Sequence, residues 1–461
     1  MHCVYFGLFA DRYVRDDESI AATAHLHIHL MLPLSFPVSR RLTVARACAV
    51  AALCMVPVST ALTNVFCALF AVALIASPEF WGNLRLSVSN GASLAALLLL
   101  GALVLSINYT IAPHEEAWSW VGKYEKLLLL PFAVIAFRSS GWESIVSRAW
   151  FATLCVILLL STTNYLGLTA IGPAHASALP VSRAWVFKNH IAAGMFGALL
   201  FYQAADLALA ASTLRWRVSL AAIAGLSLLN VFVMLQGRTG QIIALLLVFV
   251  VVVRLVLAQY RRSPLRAGLS AGSLLTLAAV LVAIACTMHG GRLVEVAAEV
   301  REYRQSDAVT SSGLRLEWYK KSLELFRARP LIGYGVAGLE YEFSRLGQGK
   351  TAVEAALTKN PHNEYLLMAV QLGAVGVLLF LNLIVQIARG GRKLDPRSRH
   401  LLLAWLAIFA IGSLANSLLL DFAEGHLLVL LGGILLGCGT AASKVTDSDD
   451  DRGTAVVQPS P

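Results

Sequence analysis

Three side chains in this sequence stand out for the chemistry their type and placement would allow. Arg238 lies in Leu235-Gln236-Gly237-Arg238-Thr239-Gly240, a very short polar turn between two strongly apolar runs. Arg315 lies one turn into the helix-like run Leu314-Arg315-Leu316-Glu317-Trp318-Tyr319-Lys320-Lys321. His362 lies in Asn360-Pro361-His362-Asn363-Glu364-Tyr365, where another apolar run begins. Ionisable residues at or within a membrane are costly and tend to mark function. Arginine forks match phosphate oxygens, and the glycines beside Arg238, with Gln236 and Thr239, leave backbone donors that suit an anion. A histidine with its ordinary pKa near ~6.5 suits a general base at neutral pH. The competing readings are an interfacial arginine snorkelling toward lipid, a solvated helix face and a structural histidine.

A second group sits close by in sequence. Lys188 and Asn189 open another apolar run, and Tyr319 shares a helical face with Arg315 and Ser322. Asn363 and Glu364 follow His362 directly. His114-Glu115-Glu116 with Trp118 and Trp120 reads first as an interfacial aromatic belt. No metal site is expected. His25, His27 and His29 alternate within a stretch that reads as a disordered extension. All of the seven cysteines but Cys3 fall in apolar runs without CxxC spacing, which indicates small buried hydrophobes rather than disulfides or zinc ligands.

The elements that must position these residues follow from composition. The chain has 461 residues, 57% of them hydrophobic and 14% charged, with a mean hydropathy of +0.70. A soluble chain carries about a quarter charged residues. Apolar runs of about 17 to 25 residues recur, enough to cross a hydrocarbon core of roughly 30 Å as helices. The fold class is therefore an all-α polytopic membrane protein. Some twelve spans are expected, near residues 43–59, 61–78, 90–108, 124–138, 149–168, 188–210, 217–235, 240–259, 267–289, 363–388, 400–420 and 424–442. The net charge of +10 does not point to nucleic acid, because the basic residues cluster in short loops where they set topology. The positive-inside rule places Arg85, Arg138, Arg148, Arg215, Arg217, Arg254, Arg261, Arg262, Arg266 and the cluster Arg389 to Arg399 on the cytoplasmic side.

This gives a plan of five parts. Residues 1–40 form a cytoplasmic extension, and a start at Met31 is compatible with the sequence, with no cleavable leader expected. Residues 41–289 carry spans one to nine, 290–362 form a long external loop, 363–442 carry the last three spans, and 443–461 form a cytoplasmic disordered tail. So long an insert is usually functional or disordered. Its content favours order, since Ser311 and Ser312 are placed to cap a helix, Arg329-Pro330 to stop it, and Gly333 and Gly335 to allow a tight turn.

At these residues the sequence resembles the O-antigen ligase family, related to O-antigen polymerases and bacterial protein O-oligosaccharyltransferases. The resemblance runs from about residue 45 to 440 and is most specific in Gln236-Gly237-Arg238-Thr239-Gly240, Arg329-Pro330-Leu331-Ile332-Gly333-Tyr334-Gly335 and Pro361-His362-Asn363-Glu364-Tyr365-Leu366. It implies a GT-C-like glycosyltransferase of the bacterial inner membrane without a cofactor. Such an enzyme moves O-antigen polysaccharide from undecaprenyl pyrophosphate to lipid A–core on the periplasmic side. By motif match, Arg238 and Arg315 resemble the family's pyrophosphate-binding arginines and His362 its essential histidine, with Asn189 a looser match. The residues agree with that chemistry. A sugar–pyrophosphate bond breaks to a stable anion, which arginines favour, and the attacking hydroxyl needs a base. No Asp-x-Asp pair occurs in the expected external loops, which points to metal-independent catalysis, and direct displacement would invert the anomeric centre. A polymerase or protein O-oligosaccharyltransferase differs in its acceptor. A polysaccharide or lipid transporter would instead need charges near the bilayer midplane or broken helices.

Overall fold

In hydrocarbon a chain must close its own backbone hydrogen bonds, and all regular structure among the described residues is helical. The structure is a computed structural model that describes residues 38–261, 263–287, 298–303, 305, 309–350 and 352–439. The expected extension up to residue 37, with its alternating histidines, lies outside the described residues, as do loop residues 288–297 and the tail from 440 onward.

The helices are α1 (Arg40–Met55), α2 (Thr60–Ile75), α3 (Gly91–Leu105), α4 (His114–Gly122), α5 (Leu129–Ala136), α6 (Glu143–Tyr165), α7 (His190–Ala210), α8 (Leu214–Leu229), α9 (Arg238–Gln259), α10 (Pro264–Thr287), α11 (Ser311–Ala328), α12 (Leu339–Gly347), α13 (Glu364–Gly390), α14 (Pro396–Gly412) and α15 (Phe422–Gly439), with a few shorter turns between them. Among the described residues, eight helices are long and apolar enough to cross a membrane. These coincide with eight of the twelve expected spans. The other four fall on helices too short to qualify: α1 and α2 with 16 residues each, α5 with 8 and α14 with 17. Of these, α14 departs most from expectation. Its apolar run continues to residue 420, but the helix ends at Gly412 and residues 413–421 form turns. Cys286, expected to be buried, is exposed.

The most enclosed spans are α15, with 89% of its apolar window buried, and α7, with 78%. Helix α7 packs on α8 and α9, α15 on α5, and α13 on α3. Gly194 of α7 meets Gly240 of α9 so closely that a Cβ on Gly240 would lie 2.7 Å from the Gly194 Cα. Small residues at such a crossing let helix backbones approach. Here the crossing brings the N-terminal ends of α7 and α9 side by side.

The Arg329–Gly335 motif turns out to be a strap. Helix α13 breaks at Gly373, whose φ is 63°, and the backbone groups freed there are met by the segment 330–335. Tyr334 and Gly335 donate their N–H groups to the Val370 and Gln371 carbonyls at 2.9 Å each, while Ala374 and Val375 donate to the Pro330 and Leu331 carbonyls at 2.7 and 3.3 Å. Irregular backbone within a membrane bundle is tolerated where protein satisfies it in this way. Thr110 Oγ1 donates to the Val336 carbonyl at 2.6 Å, and the Val336 N–H donates to Ser106 Oγ at 3.0 Å, which fixes the strap to the end of α3.

Gly333 and Gly373 both have positive φ, and a Cβ on either would meet the other segment's backbone at 2.3 Å. Gly333→Ala and Gly373→Ala should each lower the thermal midpoint of the detergent-solubilised protein, with a left-handed penalty of about 1–2 kcal/mol before any clash. Because both act on one contact, the double variant should lose less than the sum of the two single losses. Additive losses would show that the strap and the break are independent.

Candidate active site

The α8 helix ends in a π-helical turn, Asn230–Leu235, and Gln236 then takes a left-handed φ of 53°. Such turns loosen the backbone ladder and recur at functional sites. The loosened carbonyls find side-chain donors: Gln241 Nε2 donates to Phe232 O at 3.1 Å and Trp185 Nε1 to Leu235 O at 3.3 Å. This sharp reversal sets Gly237 as the cap of α9 and Arg238 as its first residue.

Arg238 holds Glu299 in a two-point fork, Nη2 donating to Oε1 at 2.8 Å and Nη1 to Oε2 at 3.2 Å. Its Nη1 also donates to Ser312 Oγ at 3.1 Å. The Ser312 N–H donates to Glu299 Oε2 at 3.0 Å. The arginine fork, with the Ser312 hydroxyl and amide, holds the Glu299 carboxyl down at about 2, so it is ionised at any physiological pH. Helix α11 is capped by Thr310, whose Oγ1 accepts the Gly313 N–H at 3.1 Å. The expected caps Ser311 and Ser312 lie inside the helix instead, and Ser312 is spent on Arg238 and Glu299.

A cleft of about 390 Å³ opens here, lined by His190, Ile191, Arg238, Thr239, Glu299, Ser311 and Arg315. Five of these are the opening residues of helices α7, α9 and α11. Three helix N-termini thus converge on one cavity with two arginines. Each N-terminus carries roughly half a positive charge, which favours an anion such as phosphate, while the Ile191, Ala192, Ser312 and Gly313 N–H groups are already spent on Asn189, Glu299 and Thr310.

Arg315 donates from Nη1 to the Ala415 carbonyl at 3.2 Å. Burial lowers its pKa, the neighbouring Tyr319 pulling back and Arg238 adding to the depression. His362 meets α11 on the face it shares with Arg315, its ring stacked on Trp318 with centroids 5.5 Å apart. It adopts φ 55°, a left-handed conformation costly for a side chain with a Cβ. Asn360 Oδ1 accepts the His362 N–H at 2.8 Å, and Tyr319 donates its hydroxyl to the His362 carbonyl at 3.1 Å. Burial, and then the charge of Arg315, push the His362 imidazole down to about 4. The ring is therefore neutral at neutral pH. That differs from the ordinary value expected from sequence.

The remaining candidates divide. Asn189 caps α7, its Oδ1 accepting the Ile191 and Ala192 N–H groups at 3.1 and 3.0 Å, so its side chain is committed to the helix that lines the cleft. Lys188 lies outside the cleft lining, donating to Thr60 Oγ1 at 3.2 Å. Tyr319 also reaches the Leu414 carbonyl at 3.0 Å. Asn363 caps α13 and donates from Nδ2 to the same carbonyl at 2.9 Å. Glu364 is fully buried, and its Oε2 accepts the Leu419 and Leu420 N–H groups at 2.8 and 3.2 Å.

Two parts of this arrangement were not read from sequence. Glu299 belongs to no motif. The turn 413–421 was hidden inside an apolar run, although Ser413, Asn416 and Ser417 break its apolarity. This turn supplies the Leu414 and Ala415 carbonyls. It also sends Asn416 Nδ2 to Thr239 Oγ1 at 3.3 Å and Ser417 Oγ to Asn360 Oδ1 at 2.6 Å. Among the described residues, no group of three or more His, Cys, Asp or Glu side chains is placed to hold a metal ion.

No curated protein matches the chain. The family model described as O-antigen ligase matches residues 222–381. That stretch runs from α8 through the first part of α13 and contains Arg238, Arg315 and His362. Over those residues the chain is similar to the O-antigen ligase family, whose members are glycosyltransferase-like ligases and polymerases.

Proposed function

We propose that the protein is an O-antigen ligase of the bacterial inner membrane. In this reading it has a GT-C-like architecture and transfers polysaccharide from undecaprenyl pyrophosphate to lipid A–core on the periplasmic side. The observation that carries the reading is the convergence of three helix N-termini and two arginines on one cleft. Few ligands other than a multiply charged phosphate call for so much positive potential in so small a space.

The transfer proceeds by direct displacement. An acceptor sugar hydroxyl attacks the anomeric carbon as the bond from that carbon to the pyrophosphate oxygen breaks. The hydroxyl proton passes to an imidazole nitrogen of His362, and the leaving lipid pyrophosphate keeps the bonding electrons. Arg238, Arg315 and the helix N-termini stabilise the charge that grows on the leaving group, the role an oxyanion hole plays in acyl transfer. The anomeric centre inverts. With arginines in this role, the reaction runs without a metal ion.

The pyrophosphate also acts on the base. The charge of Arg315 helps depress the His362 pKa. A bound anion beside Arg315 offsets that charge and makes the imidazole a stronger base once donor is present. Glu299 is the natural competitor, because it occupies the Arg238 fork that the donor would take.

Purified protein should join undecaprenyl-pyrophosphate-linked O-antigen to lipid A–core in detergent, with no ion gradient and with EDTA present. His362→Ala should lower turnover by roughly 10²–10⁴-fold, the usual contribution of a general base. Retained turnover would remove its role, a strict metal requirement would break the mechanism, and gradient-dependent movement without transfer would indicate a transporter. In cells, loss of the gene should leave long chains on the lipid carrier. Lipid A–core capped by a single repeat would instead identify a polymerase.

The pH profile supplies a separate check. His362 must be unprotonated to act, so kcat/KM, which reports the free enzyme, should stay level from pH 7 down to about 5 and fall only toward about 4. The acid limb of kcat, which reports the donor complex, should lie at higher pH. Coincident limbs near the unperturbed histidine value would contradict the coupling through Arg315.

A further inference from the structure

At the end of α9 opposite Arg238, the bundle contains a second and larger cavity. It has a volume of about 890 Å³ and lies between α7, α8, α9 and α10. Its character changes along its length. Arg217, Arg266, Gln259 and Ser263 stand at the end near the 211–213 and 260–263 connections, whereas Phe201, Leu228 and Val251 close the deep end. The walls between are made narrow by Ala205, Ala224 and Gly225. From Arg217 to Leu228 the crevice follows α8 for roughly 16 Å at about 1.5 Å per residue. That is close to one leaflet of a hydrocarbon core about 30 Å thick.

The bounding helices are spans by length and apolarity, so this crevice faces lipid and its deep end is unsuited to water. No carboxylate lines it among the described residues. Asp206, the nearby acid on α7, is paired with Arg254 at 2.5 Å and with His400 at 3.2 Å. Both rim arginines are exposed, and Arg217 donates from Nη2 to the Ala211 carbonyl at 3.0 Å, which holds it at the connection. The rim therefore presents two cations to a headgroup and the interior presents an apolar slot to a chain.

We propose that this crevice is a binding site for one anionic bilayer phospholipid, with its phosphate between Arg217 and Arg266 and an acyl chain between α8 and α9. Charge sets the choice of headgroup: a zwitterionic lipid would bring its own ammonium to the two arginines, and an anionic one would not. The bound chain fills space beside the helix that carries Arg238 at its far end. The site needs neither the donor nor the acceptor and stands apart from the transfer reaction.

The test uses the full-length protein, stripped of lipid in detergent and titrated with phosphatidylglycerol or phosphatidylcholine under native mass spectrometry. Wild type should hold one phosphatidylglycerol per chain at least 10-fold more tightly than phosphatidylcholine. The double variant Arg217→Gln with Arg266→Gln should weaken phosphatidylglycerol by on the order of 30-fold, as expected for two cations taken from an anionic headgroup, and should lose the preference. Ala224→Phe, which fills the slot, should lose both lipids. Equal retention of the two lipids by wild type would overturn the proposal without reference to any variant. Undiminished phosphatidylglycerol binding by the arginine variant would overturn it as well, and so would displacement of phosphatidylglycerol by a polyprenyl phosphate at equal concentration, since the occupant would then be a carrier lipid.

Discussion

A buried carboxyl group holds the candidate site together. Glu364 is fully enclosed at the start of α13, and its acceptor oxygen takes two backbone N–H groups from the far end of the turn 413–421. Its own N–H donates to the Ser413 carbonyl at 2.9 Å, at the near end of the same turn. Lys126, also buried, donates to the Leu420 and Asp421 carbonyls at 3.1 and 2.7 Å. The turn is thus held at its near end by the Glu364 backbone N–H and at its far end by two buried side chains. Leaving a buried donor or acceptor unsatisfied costs about 1–3 kcal/mol, so the turn has a strongly preferred conformation. Everything that meets it inherits that rigidity. Arg315, Tyr319 and Asn363 all rest on its carbonyls, Asn416 reaches Thr239, and Ser417 holds Asn360, which in turn holds His362.

This arrangement explains how a site can be assembled from distant pieces. Arg238 starts one span, Arg315 belongs to the long loop, and His362 precedes another span. The Gly194–Gly240 crossing sets the first piece beside α7. The strap from 330 to 335 anchors the downstream end of α11 into the break of α13. The turn 413–421 then ties α11, α13 and α9 to one another. The cost of this precision shows in the backbone, where Gln236 and His362 both hold left-handed φ values. Residues kept in such conformations need surroundings that over-determine them, and here those surroundings are hydrogen bonds to the same few segments.

Much of this was legible in the sequence. Apolar run length identified the eight long spans, and charge in a setting that penalises charge singled out Arg238, Arg315 and His362. What was lost follows from the same signals. The run 400–420 is apolar enough to pass for a span, so the turn within it was absorbed, and its polar residues Ser413, Asn416 and Ser417 were the only warning. The Arg329–Gly335 motif was read as a turn from its glycines, and nothing local could show that it fills a break near Gly373 in another helix. Glu299 carried no signal because its partner, Arg238, is remote in sequence. Asn189 was singled out for chemistry, but its role as a helix cap depends on the residues that follow it.

The central claim is that the cleft between the starts of α7, α9 and α11 is a pyrophosphate site. The most direct measurement is the affinity of the purified full chain for a short polyprenyl pyrophosphate, compared with the corresponding alcohol at fixed ionic strength. The account predicts that wild type binds the pyrophosphate and not the alcohol. Arg238→Lys and Arg315→Lys should each weaken binding by about 10-fold or more despite keeping the charge, because the two-point fork is lost. Pyrophosphate binding that is indifferent to both substitutions would place the anion elsewhere and contradict the account.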